Sequence, residues 1–209
     1  MVTTRQRLVE AATQGFADHG IQSASLVEIT RQAGQRNRGA VHYHFGGRDG
    51  LLVAVLEQHN AFLHERELEL LAAARNRSDD DVASVVEAIV RPCVELAEQS
   101  ISGANYLVII AELSEHDPST YSPEVEAALA GSGAYEVYAT LLERLPQLDE
   151  ELRDERLNLM TAFVLGTVAR RVRALAGDER HRGQLPTSRF VDNLVVMASA
   201  MLTAPTVVA

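Results

Sequence analysis

The chain holds 209 residues, 46% of them hydrophobic and 23% charged, a balance that suits one ordinary folded domain or a small one joined to a medium one. The apolar run 194–198 is too short to cross a bilayer, the first residues hold no apolar signal core, and the single Cys93 has no internal disulfide partner. The expected setting is therefore cytoplasmic with no membrane partner, and the net charge of −10, taken whole, speaks against nucleic acid.

The residue spacing reads as helices throughout, with no sustained period-2 alternation. A first helix is expected over 4–19, with Leu8, Ala11, Ala12 and Phe16 on one face and Gly20 as its stop. Ser25 and Glu28 have the spacing of a capping box, in which hydroxyl and carboxylate each satisfy a free N–H. They open a second helix over 25–33 that turns Leu26, Ile29 and Ala33 inward and ends at Gly34. A short third helix over 37–45 is broken by Gly46-Gly47, and Asp49 stands where its charge favours the next helix start. That helix runs over 49–75. Ser78, Asp79, Asp80 and Asp81 open another over 78–99; three acids also fit a metal loop, but acids are ordinary in a first helical turn. Further helices are expected over 103–115, over 122–146 from Ser122-Pro123-Glu124, over 149–176 and over 187–202. A polar loop at 177–186 and a frayed tail at 203–209 complete an all-α chain of nine helices, three short and then six longer.

Charge is uneven along this series. Residues 1–50 carry six Arg against four acids, and residues 51–209 carry 13 Arg against 25 acids. Between Arg31 and Arg48 there are four Arg and no acid, and a local basic surface is enough to hold phosphates. Helix 25–33, the turn Gly34-Gln35-Arg36 and helix 37–45 fit the plan of a helix-turn-helix. Arg36, Asn37, Arg38, Ala40 and His42 open its second helix: Arg suits guanine, Asn adenine, and the Ala methyl a thymine methyl. Tyr43, His44 and Arg48 lie at and beyond the helix end, where their groups would meet phosphates. A solvated surface helix explains such a polar segment equally well.

The stretch from Arg7 to Leu52 resembles the N-terminal domain of the TetR family of bacterial regulators. The matching residues are Leu8, Ala11-Ala12, Phe16, Gly20, Ile29, Ala33-Gly34, Gly39, Tyr43-His44-Phe45, Arg48 and Leu51-Leu52. The resemblance implies a three-helix helix-turn-helix DNA-binding domain over 1–48 and a six-helix ligand-binding and dimerisation domain over 49–209. It implies a repressor that binds a palindromic operator in double-stranded DNA as a homodimer and is released by a small-molecule effector. Ser25, Arg36, Asn37, Arg38, Ala40, His42, Tyr43, His44 and Arg48 form the DNA-contact set it implies, and Phe45 packs in the small core. Four features depart from the family's commonest pattern: Gly15 stands for a leucine, Thr30 for alanine and Gln35 for an apolar residue, and the turn is one residue longer. The longer turn shifts which side chains point into the groove.

The same resemblance places dimerisation on the last two long helices. Their residues allow it, with Phe163, Gly166, Thr167, Arg170, Phe190, Leu194, Met197 and Met201 as interface candidates and Ala162, Gly166 and Ala198 permitting close approach. Burial within one protomer is the alternative. Pocket candidates are Phe62, Cys93, Leu96, Tyr106, Ile110, Leu113, Tyr138, Leu142 and Phe163, each of which also reads as a plain core residue. Asn105 and Tyr106 would add polar bonding capacity, and Glu112 could pair a cation. A body that binds a protein rather than a small ligand is the competing reading. The cluster Arg170, Arg171 and Arg173 reads as charge at a helix C-terminus or an exposed dimer rim. No Gly-x-Ser-x-Gly elbow, phosphate loop or His-Glu-x-x-His is present, and His59 and His64 lie five apart on a helix, a poor metal pair. No enzyme activity, cofactor or metal is expected.

Overall fold

Thr3 and Gln6 cap each other at the start of α1 (Thr4–His19): the Gln6 N–H donates to Thr3 Oγ1 at 3.1 Å, and the Thr3 N–H to Gln6 Oε1 at 2.8 Å. α2 (Leu26–Gln32), α3 (Ala40–Phe45) and α4 (Arg48–Ala74) follow, and Leu8, Phe16, Ile29, Val41 and Leu51 close a small core among them. Only half of the box expected at α2 forms. Ser25 Oγ accepts from the Glu28 N–H, while the Glu28 carboxylate takes the Arg31 guanidinium at 2.6 and 2.9 Å. That guanidinium holds the Glu28 carboxyl below its ordinary range.

This computed structural model describes residues 2–117, 120–176 and 184–206, with the side chains of 173, 175 and 176 left out. The remaining helices among them are α5 (Val82–Gln99), α6 (Ile101–Ser114), α7 (Pro123–Leu129), α8 (Ala134–Arg144), α9 (Glu150–Ala176) and α10 (Thr187–Thr203). Most of the loop expected at 177–186, and the end of the tail, lie outside the described residues. α5 is the axis of the body: Val85, Val86, Ala88, Val90 and Leu96 are fully buried, and α4, α6, α8, α9 and α10 pack around it. A helix apolar on most sides belongs at such a centre. α6 lies between α1, α5 and α9, so it touches both the small N-terminal core and the body. No described helix is long and apolar enough to cross a membrane.

Ten helices, not nine, follow one another among the described residues, because the segment expected as one helix over 122–146 is two. The chain between them runs close over α4. A Cβ at Gly131 would stand 2.3 Å from Asn60 Nδ2, and one at Gly133 would stand 3.1 Å from Glu67 Cβ. Asn60 Nδ2 donates to the Ala128 carbonyl at 2.8 Å and so satisfies the end of α7. Asp81, not Ser78, caps α5, accepting from the Ser84 N–H at 3.0 Å. Arg171 is also corrected: it is buried rather than part of an exposed rim. It lies 4.3 Å over the Phe190 ring and donates to the Leu185 carbonyl at 2.9 Å.

Two departures from the family pattern acquire a packing reason. A Cβ on Gly15 would stand 3.0 Å from Ile29 Cγ1, so the missing leucine is replaced by a close approach of α1 to α2. Thr30 is buried with its hydroxyl donating to the Leu26 carbonyl at 2.7 Å. Gly15→Leu is expected to lower stability by about 1–2 kcal/mol, overpacking outweighing the gain in helix propensity. Thermal unfolding should show a smaller loss for the same change made on Ile29→Ala.

Candidate nucleic-acid interface and interior cavity

The segment between α2 and α3 is held by its own backbone. Gly34 has a φ of 70°, a left-handed conformation that a side chain would strain, and its N–H donates to the Arg31 carbonyl. The Gln35 N–H donates to the Thr30 carbonyl at 3.1 Å, and the Gln35 side-chain amide to the Ala33 carbonyl at 3.2 Å. The polar residue in the turn is thereby satisfied. Gly46, with a φ of 75°, ends α3 in the same left-handed region, its N–H donating to the His42 carbonyl.

This geometry redistributes the sequence-predicted contacts. α3 starts at Ala40, so Arg36, Asn37 and Arg38 stand in the turn before it rather than on its first turn. All three are exposed. Asn37 Oδ1 accepts from the Gly39 N–H at 2.9 Å, so the bidentate adenine reading expected of it is closed while that turn persists. Ala40 is buried in the small core with Val41 and has no methyl to offer a thymine. Arg48 is corrected as well: Nη1 donates to the Ile21 carbonyl, so the guanidinium is held within the protein. His42, Tyr43 and His44 are exposed, Tyr43 by 83%, and the Tyr43 and His44 rings meet edge to face at 5.0 Å. Phe45 is half-buried beneath the Arg5 guanidinium at 5.1 Å. Ser25 is exposed but serves as the α2 cap. An exposed, mainly basic strip of Arg36, Arg38, His42, Tyr43 and His44 remains.

A cavity of about 540 Å³ opens in the body between α4, α5, α6, α8 and α9. Of the nine pocket candidates, Cys93, Tyr106, Ile110, Leu113 and Tyr138 line it. The other four do not. Leu96, on α5, is buried in the core outside the cavity wall, Leu142 is 43% exposed because its neighbour Leu141 faces inward, and Phe62 and Phe163 are half-buried away from the space. Asn105 is turned toward α1, its Nδ2 donating to Gln14 Oε1 at 2.9 Å. Glu112 is not a cation partner in the cavity: both carboxylate oxygens accept the Ile21 N–H, at 2.9 and 3.1 Å.

The lining residue that sequence reasoning missed is Glu67 on α4. The residue is only 6% exposed, and Oε2 has no hydrogen-bond partner. Burial pushes its carboxyl up to about 7, the Gly133 backbone opposes that shift, and Glu136 adds to it. The signal was faint, a glutamate one turn after Leu63 and one turn before Leu71, in line with apolar positions of the helix. Burial also raises the Tyr106 hydroxyl, and it raises Tyr138 to about 12 although the Thr161 hydroxyl bonded to it pulls the other way. Tyr121 donates to the Leu113 carbonyl at 2.6 Å and closes one side of the cavity.

The outer faces of α9 and α10 carry apolar side chains in solvent: Leu159 is 52% exposed, Val196 65% and Met197 46%. Gly166 and Arg170 are exposed on the same side of α9, and Phe163, Thr167, Phe190 and Met201 are half-buried. Leu194 and Ala198 are corrected, since both are fully packed inside the protomer and cannot meet a second copy there.

The family model described as "Bacterial regulatory proteins, tetR family" matches residues 8–55, and that described as "Tetracyclin repressor-like, C-terminal domain" matches residues 87–201. The chain belongs to the TetR family. Both models describe regulatory proteins rather than enzymes. Among TetR-family relatives, the HTH-type transcriptional regulator SrpR of Pseudomonas putida is 47% identical over 53 residues, 25% of this chain and 24% of that one. The regulator AcrR of Shigella flexneri is 36% identical over 69 residues, 33% of this chain and 32% of that one. The sequence match to these relatives thus spans a third of their length or less. The ketosteroid transcriptional regulator KstR2 of Mycobacterium tuberculosis shares the fold, with a TM-score of 0.58, 17% identity, and 98% and 97% of the two chains covered. AibR, solved with isovaleryl coenzyme A and operator DNA, does so with a TM-score of 0.52, 16% identity, and 98% and 100% covered.

The titration of Glu67 gives a stability prediction. Its folded pKa lies above the unfolded one, so folding favours the protonated form and the wild type loses stability as pH rises from about 4.5 toward 7. Glu67→Gln should therefore be the more stable protein at pH 8, by up to about 3 kcal/mol, and should lose that advantage at pH 4. Urea unfolding at both pH values measures it.

Proposed function

We propose that this TetR-family protein is a cytoplasmic transcriptional repressor that binds a palindromic operator as a homodimer and is released when a small molecule enters its cavity. Residues 1–48 read the DNA, and residues 49–209 hold the effector and the second protomer. The observation that carries the reading is one helix, α6, which walls the cavity with Tyr106, Leu107, Ile110 and Leu113 and grips the reading head through Asn105 and Glu112. A ligand that moves α6 moves the groove-facing strip with it.

Arg36 and Arg38 supply base or phosphate contacts from the turn, and Tyr43 and His44 supply phosphate contacts. The apolar outer faces of α9 and α10 support a two-fold four-helix interface, which sets two reading heads about one DNA turn apart. Burying Val196, Met197 and Leu159 against a second copy removes an apolar surface that a monomer would leave in water.

Arg38→Ala and Tyr43→Ala should each weaken binding to an operator selected from random duplexes, by about 1–3 kcal/mol for a good contact. A gel shift in which both variants bind like wild type would remove α3 and its turn from the interface. Val196→Glu should shift the protein from dimer to monomer in analytical ultracentrifugation at micromolar concentration, with an unchanged helical circular-dichroism spectrum.

A further inference from the structure

The cavity is apolar over most of its wall, yet among its described lining residues it holds one buried carboxylate, that of Glu67, which is over nine-tenths buried and leaves Oε2 without a partner. A buried charge without a partner is costly, and so is a buried acceptor without a donor. The chain contains no lysine, and no arginine is among the described residues that line the space; His116, at the exposed mouth, is the single basic one. A donor or positive group that enters the space would supply the partner that Oε2 lacks.

The rest of the lining agrees with a positive occupant. Tyr106, Tyr121, Tyr135 and Tyr138 line the space, and the electron-rich face of a tyrosine ring attracts a cation. Glu115 and Asp117 stand at the exposed mouth beside His116, so the entrance carries more acid than base. An acyl carboxylate, a phosphate or a coenzyme A thioester would meet the ionised Glu67 with no arginine among the described lining residues to offset the repulsion.

We propose that the effector is a lipophilic cation, an aromatic or alkyl amine or a quaternary onium ion, whose positive centre pairs with Glu67 while its apolar body fills the tyrosine-lined space. This rests on the reading of the cavity as an effector site. Glu67 is the specificity-determining residue: it selects for charge, and the apolar wall selects for size.

The test is isothermal titration calorimetry on the full chain at pH 8, with two sets of probes matched in shape and opposed in charge. Tetraphenylphosphonium and tetraphenylborate form the rigid set; decyltrimethylammonium, decanoate and neutral 1-decanol form the flexible one. At least one cation should bind at least about tenfold more tightly than its anionic counterpart, and Glu67→Gln should weaken that cation by about tenfold or more. The same variant should bind 1-decanol as the wild type does, which separates loss of the charge from loss of the fold. Anions binding as tightly as cations, or cations indifferent to Glu67→Gln, would overturn the proposal and leave the effector site standing. Binding by none of the five probes would overturn the proposal and the effector site together.

Discussion

One residue ties the N-terminal helices to the helical body. Ile21, just past α1, has its N–H taken by the Glu112 carboxylate of α6 and its carbonyl by the Arg48 guanidinium at the start of α4. Both bonds are charge-assisted, and each contributes roughly 1.5–3 kcal/mol in a protein setting. A buried turn with both polar groups held by charged side chains behaves as a rigid joint. It fixes α1 against α6 and α4 together, and with them α2 and the exposed strip on α3. The Asn105 to Gln14 hydrogen bond adds a second tie about two turns away along α6.

The helix that carries this joint also walls the cavity, and the proposed function rests on that double role. α6 has Leu107 and Ile109 buried and Ile110 on the cavity side, while Asn105 and Glu112 reach toward α1. Packed interiors respond to an occupant by shifting whole elements, because they compress little. Glu67, on α4, brings a buried carboxylate to the wall of that cavity. Its Oε2 has no hydrogen-bond partner, so on the proposed reading an occupant that pairs with it gains affinity.

Much of the fold was legible in the amino-acid sequence, and the failures have physical causes. The helix starts at Ser25, Ser122 and Asp149 and the long helices α4, α5, α9 and α10 follow from capping and 3.6-residue spacing, which act locally. The break between α7 and α8 was missed because it depends on contact with Asn60 and Glu67 of α4, some 70 residues away. At the reading head, the basic strip was visible as composition, but composition does not say which arginine folds inward. Arg48 does so because Ile21 needs a donor, and Ala40 is buried because α3 begins there and not at Asn37. In the body, Tyr106 and Tyr138 stood out as large side chains on enclosing helices, whereas nothing in the sequence singled out Glu67. Only the fold shows that it is enclosed.

The dependence of DNA binding on the Ile21 joint can be measured without a ligand. Ile110→Trp enlarges a side chain on the cavity wall of α6, and Glu112→Ala cuts the tie to Ile21. Fluorescence anisotropy on a selected operator would give the affinity of wild type, both single variants and the double variant. If the joint carries the movement of α6, Ile110→Trp weakens operator binding in the wild-type background and has little effect on Glu112→Ala, a coupling of at least about 0.5 kcal/mol. Additive effects would mean that the cavity and the reading head communicate by another route, or not at all.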